Sequence, residues 1–262
     1  MEHPPTPTEP ASSGGVHISR GVRLRIPVGG LVIQTSGVRP SMEVRAVELQ
    51  LDTCVHWLEI ALEHLASAKA AHADLVAGVS SGTDIGALLD REFKSSMQAA
   101  FAAATFFEAL YATTMERNPP KQPTRSANSA KRPTRFAVVT EQLRRSFGLK
   151  NRGTANLRSV LAEVYRFRDQ AVHPSAKFTE PVMHPELKVG VERRFVMFSA
   201  ASAHQLVRAA LAFSKILSSR DLKRQPKEIQ DLAAYLLEVC APLYEQWEQH
   251  YGELFDPPAN AT

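Results

Sequence analysis

The chain has little cysteine and no long apolar run. Only Cys54 and Cys240 occur among its 262 residues, each within an apolar helical pattern, and no C-x-x-C is present. This usage favours buried free thiols in a reducing compartment over a disulfide. No run of eighteen apolar residues exists, so no membrane-spanning helix is predicted. We therefore expect a soluble, cytoplasmic protein.

Motifs for several other functions are also missing. The chain has no Walker-type loop, no G-x-G-x-x-G and no G-x-S-x-G, which leaves nucleotide hydrolysis and serine hydrolase chemistry without support. Glu59 and Glu63 share a helix face, but no Glu-x-x-His accompanies them, which argues against a di-iron bundle. His56, His64 and His72 recur every eight residues and drift by about 80° at each step, so they do not converge as ligands. No metal site and no cofactor are expected.

The first forty residues differ from the rest of the chain. Residues 1–15 are rich in Pro, Ser and Thr, lack the apolar core of a signal peptide, and are expected to form a disordered tail. In residues 16–38, apolar and polar positions alternate on either side of Gly29-Gly30, which predicts a β-hairpin appendage spanning 16–40. A lone hairpin is marginal in water, and a third strand-like run, residues 188–198, can complete a small antiparallel sheet.

The remaining sequence predicts a mainly α fold, a helical bundle of about six helices in one domain of residues 41–255. A second disordered tail is expected at 256–262. Capping residues, glycines and prolines delimit the helices. The expected helices are 41–77, from Thr83 or Asp84 to Arg117, 135–147, from Thr154 to Val172, from Ser199 to Ser218, and from Pro226 to Tyr251.

Basic residues are concentrated in one segment. From Arg117 to Arg168 there are thirteen Lys and Arg against two acids, a net +11, which leaves −7 for the rest because the total is +4. Part of this segment is a proline-bearing loop, residues 118–134, whose length favours a functional or disordered role. The charge predicts a polyanionic partner, with a solvated loop as the alternative. The side chains expected to bind RNA are Lys121, Arg125, Lys131, Arg132, Arg135 and Arg166.

The basic segment leads into the string R-F-R-D-Q-A-V-H-P at residues 166–174. Arg168 follows Leu157 and Leu161 on an apolar helical stripe, and a charge on a buried stripe must be paired or functional. Because proline disfavours the α region for the residue before it, His173 is predicted to lie where the helix stops.

The string R-D-Q-A-V-H resembles the R-x4-6-H signature of the HEPN superfamily, compact helical bundles of which many are metal-independent RNases. The resemblance covers about residues 41 to 217. It implies that Arg168 stabilises charge on the phosphate, that His173 transfers protons, and that Asp169 orients its neighbours or water. Arg166 and His173 also satisfy the looser spacing, so either arginine is a candidate. A homodimer with facing motifs and a role as a toxin or in defence are further implications of the resemblance.

These residue types suit RNA cleavage without a metal. Histidine titrates near pH 6.5 and can accept the 2′-hydroxyl proton, while arginine stays charged and presents a fork of donors to phosphate. The sequence therefore predicts an endoribonuclease that cleaves single-stranded RNA through 2′-hydroxyl attack. The alternative is a non-catalytic helical module that docks RNA or an acidic protein partner. In that module, Arg168 is an ion-pair residue and His173 helps to cap the helix.

Two smaller expectations concern surfaces. Alanine-rich helix faces that carry Phe101, Phe106 and Phe107 are expected to suit the contact between two copies of the chain. His184 lies in a loop between Pro181 and Pro185 and is expected to be exposed to solvent, with an approach to the motif as the alternative.

Overall fold

The computed structural model describes residues 18–34, 41–81, 84–120, 133–173 and 178–255. The chain consists of two compact units, and the boundary between them lies between Leu51 and Asp52. Within the described residues the protein is mainly helical with small antiparallel strand pairs, which confirms the predicted fold class. No helix of the described residues is long and apolar enough to cross a membrane.

The first unit contains four short strands, β1 (Val22–Arg25), β2 (Leu31–Gln34), β3 (Ser41–Val44) and β4 (Glu48–Leu51). β1 pairs with β4 and β2 pairs with β3, both antiparallel. The predicted hairpin is therefore wrong in its pairing, because β1 and β2 are not partners. The carbonyl of Gly30 instead accepts hydrogen bonds from the backbone N–H groups of Arg45 (2.7 Å) and Ala46 (3.2 Å). A Cβ atom at Gly30 would lie 2.7 Å from the Ala46 carbonyl oxygen, so this approach requires glycine.

The helix predicted from residue 41 begins later, as α1 (Cys54–Ser81). Residues 41–51 belong largely to β3 and β4, and the Asp52 carboxylate accepts a hydrogen bond from the backbone N–H of Cys54 at 2.9 Å. An acceptor placed just before the first turn satisfies one of the donors that a helix leaves unpaired, so Asp52 stabilises the start of α1.

The expectation of a third sheet strand at 188–198 is also wrong. Its first part forms β6 (Gly190–Val191), whose one partner strand among the described residues is β5 (Val182–Met183), and its second part is the short helix α5 (Arg193–Met197). The Glu192 side chain accepts from the backbone N–H of Arg194 at 2.9 Å and so caps α5. The aromatic residues that resembled a strand pack instead on Phe93, with ring centroids 4.9 Å away for Phe195 and 5.7 Å away for Phe198.

The remaining helices agree well with the sequence prediction. They are α2 (Ile85–Arg117), α3 (Arg135–Ser146), α4 (Asn151–Val172), α6 (Ala200–Ser218) and α7 (Lys227–Tyr251). Asp84 and Ser199 cap α2 and α6, as predicted, through side-chain hydrogen bonds of 3.2 and 3.3 Å. α4 starts three residues before the expected cap, Thr154, whose hydroxyl donates back to the carbonyl of Lys150 at 3.0 Å.

α2 lies at the centre of the helical unit and packs against α1, α3, α4 and α6. The middle of α2 buries a group of alanines, Ala99, Ala100 and the run 102–104, whose small side chains allow close approach of its neighbours. Phe106 and Phe107 are fully buried in the same core. They are therefore unavailable for contact with a second copy, which corrects the expectation for these two residues.

Candidate functional site

The motif occupies the C-terminal end of α4, which ends at Val172 as predicted. The backbone N–H of His173 donates to the carbonyl of Asp169 at 2.8 Å, and the backbone of His173 then leaves the helix with φ −120° and ψ 68°. The histidine is exposed, while Pro174 lies outside the described residues. The imidazole is thus presented at a helix end.

Arg168 is held by ionic contacts on the side of α4 that faces α2. Its Nη1 atom lies 3.2 Å from Oε1 of Glu108, and its Nη2 atom lies 2.9 Å from Oδ1 of Asp169. The guanidinium also stacks over the Tyr165 ring, 4.9 Å from the centroid. The charge on the apolar stripe is therefore paired, and three of the five guanidinium N–H donors are engaged, one to Glu108 and two to Asp169.

Glu108 of α2 is the centre of this network. Besides Arg168, it accepts hydrogen bonds from the Tyr165 hydroxyl at 2.7 Å and from Nε of Arg135 at 3.0 Å. Burial alone would raise the pKa of Glu108, but the hydrogen bonds from Arg135 and Tyr165 and the charge of Arg168 lower it overall. Burial and the bond to Glu108 raise the pKa of Tyr165, which therefore remains a donor. One carboxylate thus holds two arginines from different helices.

Glu108 and Tyr165 were not identified from the sequence. Glu108 follows Phe106 and Phe107 directly and precedes Leu110, all three of which are fully buried. A single acid within such a run has to find a cationic partner, so its position was a usable signal. The identity of the partner was not available, because Arg135 and Arg168 lie 27 and 60 residues further along the chain.

Of the six basic residues predicted to bind RNA, the structure describes two, and each of these is paired with an acidic side chain. Arg135 is paired with Glu108 and lies 4.3 Å from the centroid of the Tyr111 ring, and the hydrogen bond to Glu108 raises its pKa. Arg166 pairs with Glu163, one turn before it on α4, at 2.9 Å. The other predicted RNA-binding residues lie outside the described residues: Lys121, Arg125, Lys131 and Arg132.

Arg166 and Arg168 face different surroundings. They are two residues apart, so roughly 200° separates their side chains around the helix axis. Arg168 joins the network of Glu108, whereas Arg166 lines a polar pocket beside α5. The candidate pair Arg166 and His173 therefore has a different arginine environment from the candidate pair Arg168 and His173.

An apolar groove of about 390 Å³ lies between α1, α2 and the end of α4. Its walls include Trp57, Ile60, Phe101, Ala171 and Val172, the last two directly preceding His173. Phe101 is 38% exposed and Val172 is 47% exposed. Of the three phenylalanines predicted for an intermolecular contact, only Phe101 is available for one.

The expectation for His184 is wrong, because this residue is only 3% exposed. Its Nδ1 atom accepts hydrogen bonds from the backbone N–H groups of Glu186 (3.2 Å) and Leu187 (3.3 Å), so it stabilises the β5–β6 turn. Burial lowers the pKa of His184, which favours the neutral acceptor form. Among the described residues, no three His, Cys, Asp or Glu side chains form a group able to hold a metal ion.

Comparison of the chain with protein-family models, curated proteins and solved structures found no match. The features of the chain that bear on its function are therefore the motif and the geometry around α4. That geometry provides an exposed imidazole at a helix end, a guanidinium held by carboxylates on one side, and a pocket lined by arginine on the other.

Proposed function

We propose that the protein is a metal-independent endoribonuclease that cleaves single-stranded RNA, with His173 as the proton-transfer group. The observation that carries the proposal is the position of His173. It is an exposed histidine at the end of α4, with arginines on the preceding turns of the same helix. An imidazole open to solvent in such a position can accept a proton and return it, as general acid–base catalysis requires.

The reaction is an intramolecular displacement at phosphorus. His173 removes the proton from a ribose 2′-hydroxyl, and the oxygen attacks the adjacent phosphate. A 2′,3′-cyclic phosphate forms as the bond to the 5′-oxygen of the next nucleotide breaks, and the protonated His173 imidazole returns the proton to that oxygen. Arginine supports this step because its charge and fixed donors stabilise the negative oxygens of the transition state.

In this proposal two copies of the chain form a homodimer that brings their motifs close together. The support is the apolar groove beside the motif, which is lined by exposed Phe101 and by exposed Val172, the residue directly before His173. Burial of such a surface against a second copy removes apolar area from water. A second copy of the motif would also supply a second imidazole to the cleavage site.

A different class of function is favoured by one observation. The Arg168 guanidinium already contacts Glu108, Asp169 and Tyr165, which is the arrangement of a structural ion pair. Under this second candidate the chain is a non-catalytic helical module that docks RNA or an acidic protein, and the motif maintains the junction between α2 and α4.

Cleavage of RNA in the presence of EDTA separates the two candidates. The endoribonuclease should cut single-stranded RNA, leave 2′,3′-cyclic phosphate ends, and spare DNA of the same sequence, which lacks the 2′-hydroxyl. His173→Ala should lower the rate by about 10²–10⁴, the usual contribution of a general acid–base. His250→Ala, at an exposed histidine in the last turn of α7, is the matched control and should cleave like the parent.

Two outcomes would contradict the enzyme proposal. One is a folded His173→Ala protein that cleaves RNA as fast as the parent. The other is activity that disappears on chelation and returns with a divalent metal. Absence of cleavage by the parent chain, combined with retained RNA binding, would favour the non-catalytic module.

A further inference from the structure

A polar pocket of about 310 Å³ lies beside the C-terminal half of α4, on the side that bears Arg166. Arg166 and Gln170 of α4 form one wall, and Arg193 and Arg194 at the start of α5 form another. Thr179 and Glu192 complete the polar lining. Three arginines therefore line one small cavity.

The pocket carries an excess of positive charge. Arg166 is balanced by Glu163 at 2.9 Å, and Arg194 is balanced by Glu192 at 3.1 Å. Arg193 is exposed and has no acidic partner within the described parts of the chain. One positive charge is thus left over, which matches the single negative charge of a phosphodiester.

Arg166 is positioned by contacts with the core. The Arg166 guanidinium lies 4.8 Å from the centroid of the Phe167 ring, and its Nη1 atom lies 3.9 Å from the Met197 sulfur of α5. Phe167 in turn packs edge-on against the buried Phe198 at 5.5 Å. A guanidinium held in this way loses less conformational freedom on binding an anion, and its fork of donors matches a phosphate.

The pocket and the backbone position of His173 lie on one side of α4. Gln170 is four residues after Arg166, a rotation of about 40°, and His173 is seven residues after it, about 20° short of two turns. The same count places His173 roughly 10 Å further along the axis. An RNA strand with its scissile phosphate at His173 therefore extends towards the arginines with a neighbouring phosphate.

We propose that this pocket is the subsite for a backbone phosphate next to the scissile one, so that the RNA strand follows the Arg166 face of α4 and not the Arg168 face. Arg193 supplies the unbalanced charge, and the Gln170 amide and the Thr179 hydroxyl supply further donors. This inference rests on the proposed function in its use of His173 as the cleavage point. The binding of a phosphate strand itself does not require cleavage.

The test measures binding in a background that does not depend on cleavage. The His173→Ala protein is titrated with a fluorescein-labelled ten-nucleotide single-stranded RNA at several salt concentrations, with anisotropy as the readout. Adding Arg193→Ala should weaken binding roughly ten- to hundredfold, the range expected for loss of a hydrogen-bonded charge. It should also reduce the slope of log affinity against log salt by about 0.7, the contribution of one phosphate in a single strand.

Arg224→Ala in the same background is the matched control, because Arg224 is also exposed but lies in the loop between α6 and α7. It should leave both affinity and slope near the parent values. Circular dichroism of each variant confirms that the helices are intact. A glutamate decapeptide should not compete with RNA for the parent protein.

The possible results test the phosphate subsite and the endoribonuclease activity separately. If the parent chain does not cleave RNA but binding depends on Arg193, the proposed endoribonuclease fails and the phosphate subsite stands. If the parent cleaves RNA but Arg193→Ala binds it with unchanged affinity and slope, the subsite is overturned. Competition by the glutamate peptide through Arg193 would also overturn it, in favour of an acidic protein partner.

Discussion

Glu108 is the residue on which the polar contacts around the motif converge. Its carboxylate is about three-quarters shielded from solvent and meets Arg135 of α3 and both Tyr165 and Arg168 of α4. Without this carboxylate, the guanidinium groups of Arg135 and Arg168 would lie in a partly buried space without the negative charge that they share. At this scale the tertiary junction of three helices depends on one acidic side chain.

We predict that Glu108→Gln lowers the free energy of unfolding by about 1–3 kcal/mol, the loss expected for hydrogen bonds to a charged group. Urea denaturation of the variant and the parent measures this loss in the free energy of unfolding. The pKa of Glu108 is lowered in the folded protein, so its contribution is complete at neutral pH and is lost as the pH falls through the folded pKa. The difference between variant and parent should therefore shrink below about pH 4.

Glu141→Gln provides the control for this prediction. Glu141 pairs with Arg144 one turn away on α3, but its side chain is 55% exposed. Exposed pairs of this kind are typically worth about 0–1 kcal/mol. If both variants change stability by the same small amount, Glu108 does not organise the junction.

At the scale of elements, Glu92 links three helices. This residue of α2 is only 3% exposed, yet its carboxylate accepts from the backbone N–H of Ala200 at 2.8 Å and lies 3.1 Å from Nδ1 of His72. Ala200 is the first residue of α6, where backbone donors have no partner within the helix. A carboxylate also interacts favourably with the positive end of the helix dipole, so Glu92 connects the start of α6 to α1 and α2.

We expect Glu92→Ala to destabilise the protein by roughly 2–5 kcal/mol, because it leaves the Ala200 N–H buried without its acceptor and removes a buried charge partner. Thermal and urea unfolding measure the loss. Asp90→Asn on the same helix is the control, since Asp90 forms an exposed i,i+4 pair with Lys94 that should contribute less than about 0.5 kcal/mol. Equal stability of Glu92→Ala and the parent would disprove the linking role.

At the scale of the whole molecule, the two copies of the proposed homodimer contact each other through the apolar groove beside the motif. Phe106 and Phe107 belong to the core, so the proposed contact between copies uses Phe101 and the apolar residues around it. The same surface borders His173 through Val172. Loss of the contact between copies should therefore affect both oligomeric state and RNA cleavage.

Light scattering at micromolar concentration should show a dimer for the parent chain and mainly monomer for Phe101→Glu, because a charge in an apolar contact costs several kcal/mol. Leu237→Glu is a closely matched control, since Leu237 of α7 is also a large apolar residue with 38% exposure. A parent protein that is monomeric throughout this range, or a Phe101→Glu protein that stays dimeric, would refute assembly through the groove.

Much of the helical fold was determined by local signals in the sequence. Asp84 and Ser199 were correctly predicted as caps, because a cap depends only on a side chain and the N–H groups two or three residues after it. The end of α4 at Val172 followed from the proline two residues later. The exposed position of His173 could thus be anticipated before any tertiary contact was known.

Tertiary structure alone decided the pairings between distant residues. β1 pairs with β4 and not with the nearer β2, since short strands carry too little local information to select a partner. The sequence placed Arg168 on an apolar stripe, but only the packing of α2 against α4 supplied Glu108 as its partner. Helical periodicity predicts that Arg166 and Arg168 lie on different sides of α4. The pocket beside Arg166, however, forms only because α5 packs next to it. Capping and helix ends are local, whereas charge pairing and cavities depend on which helices meet.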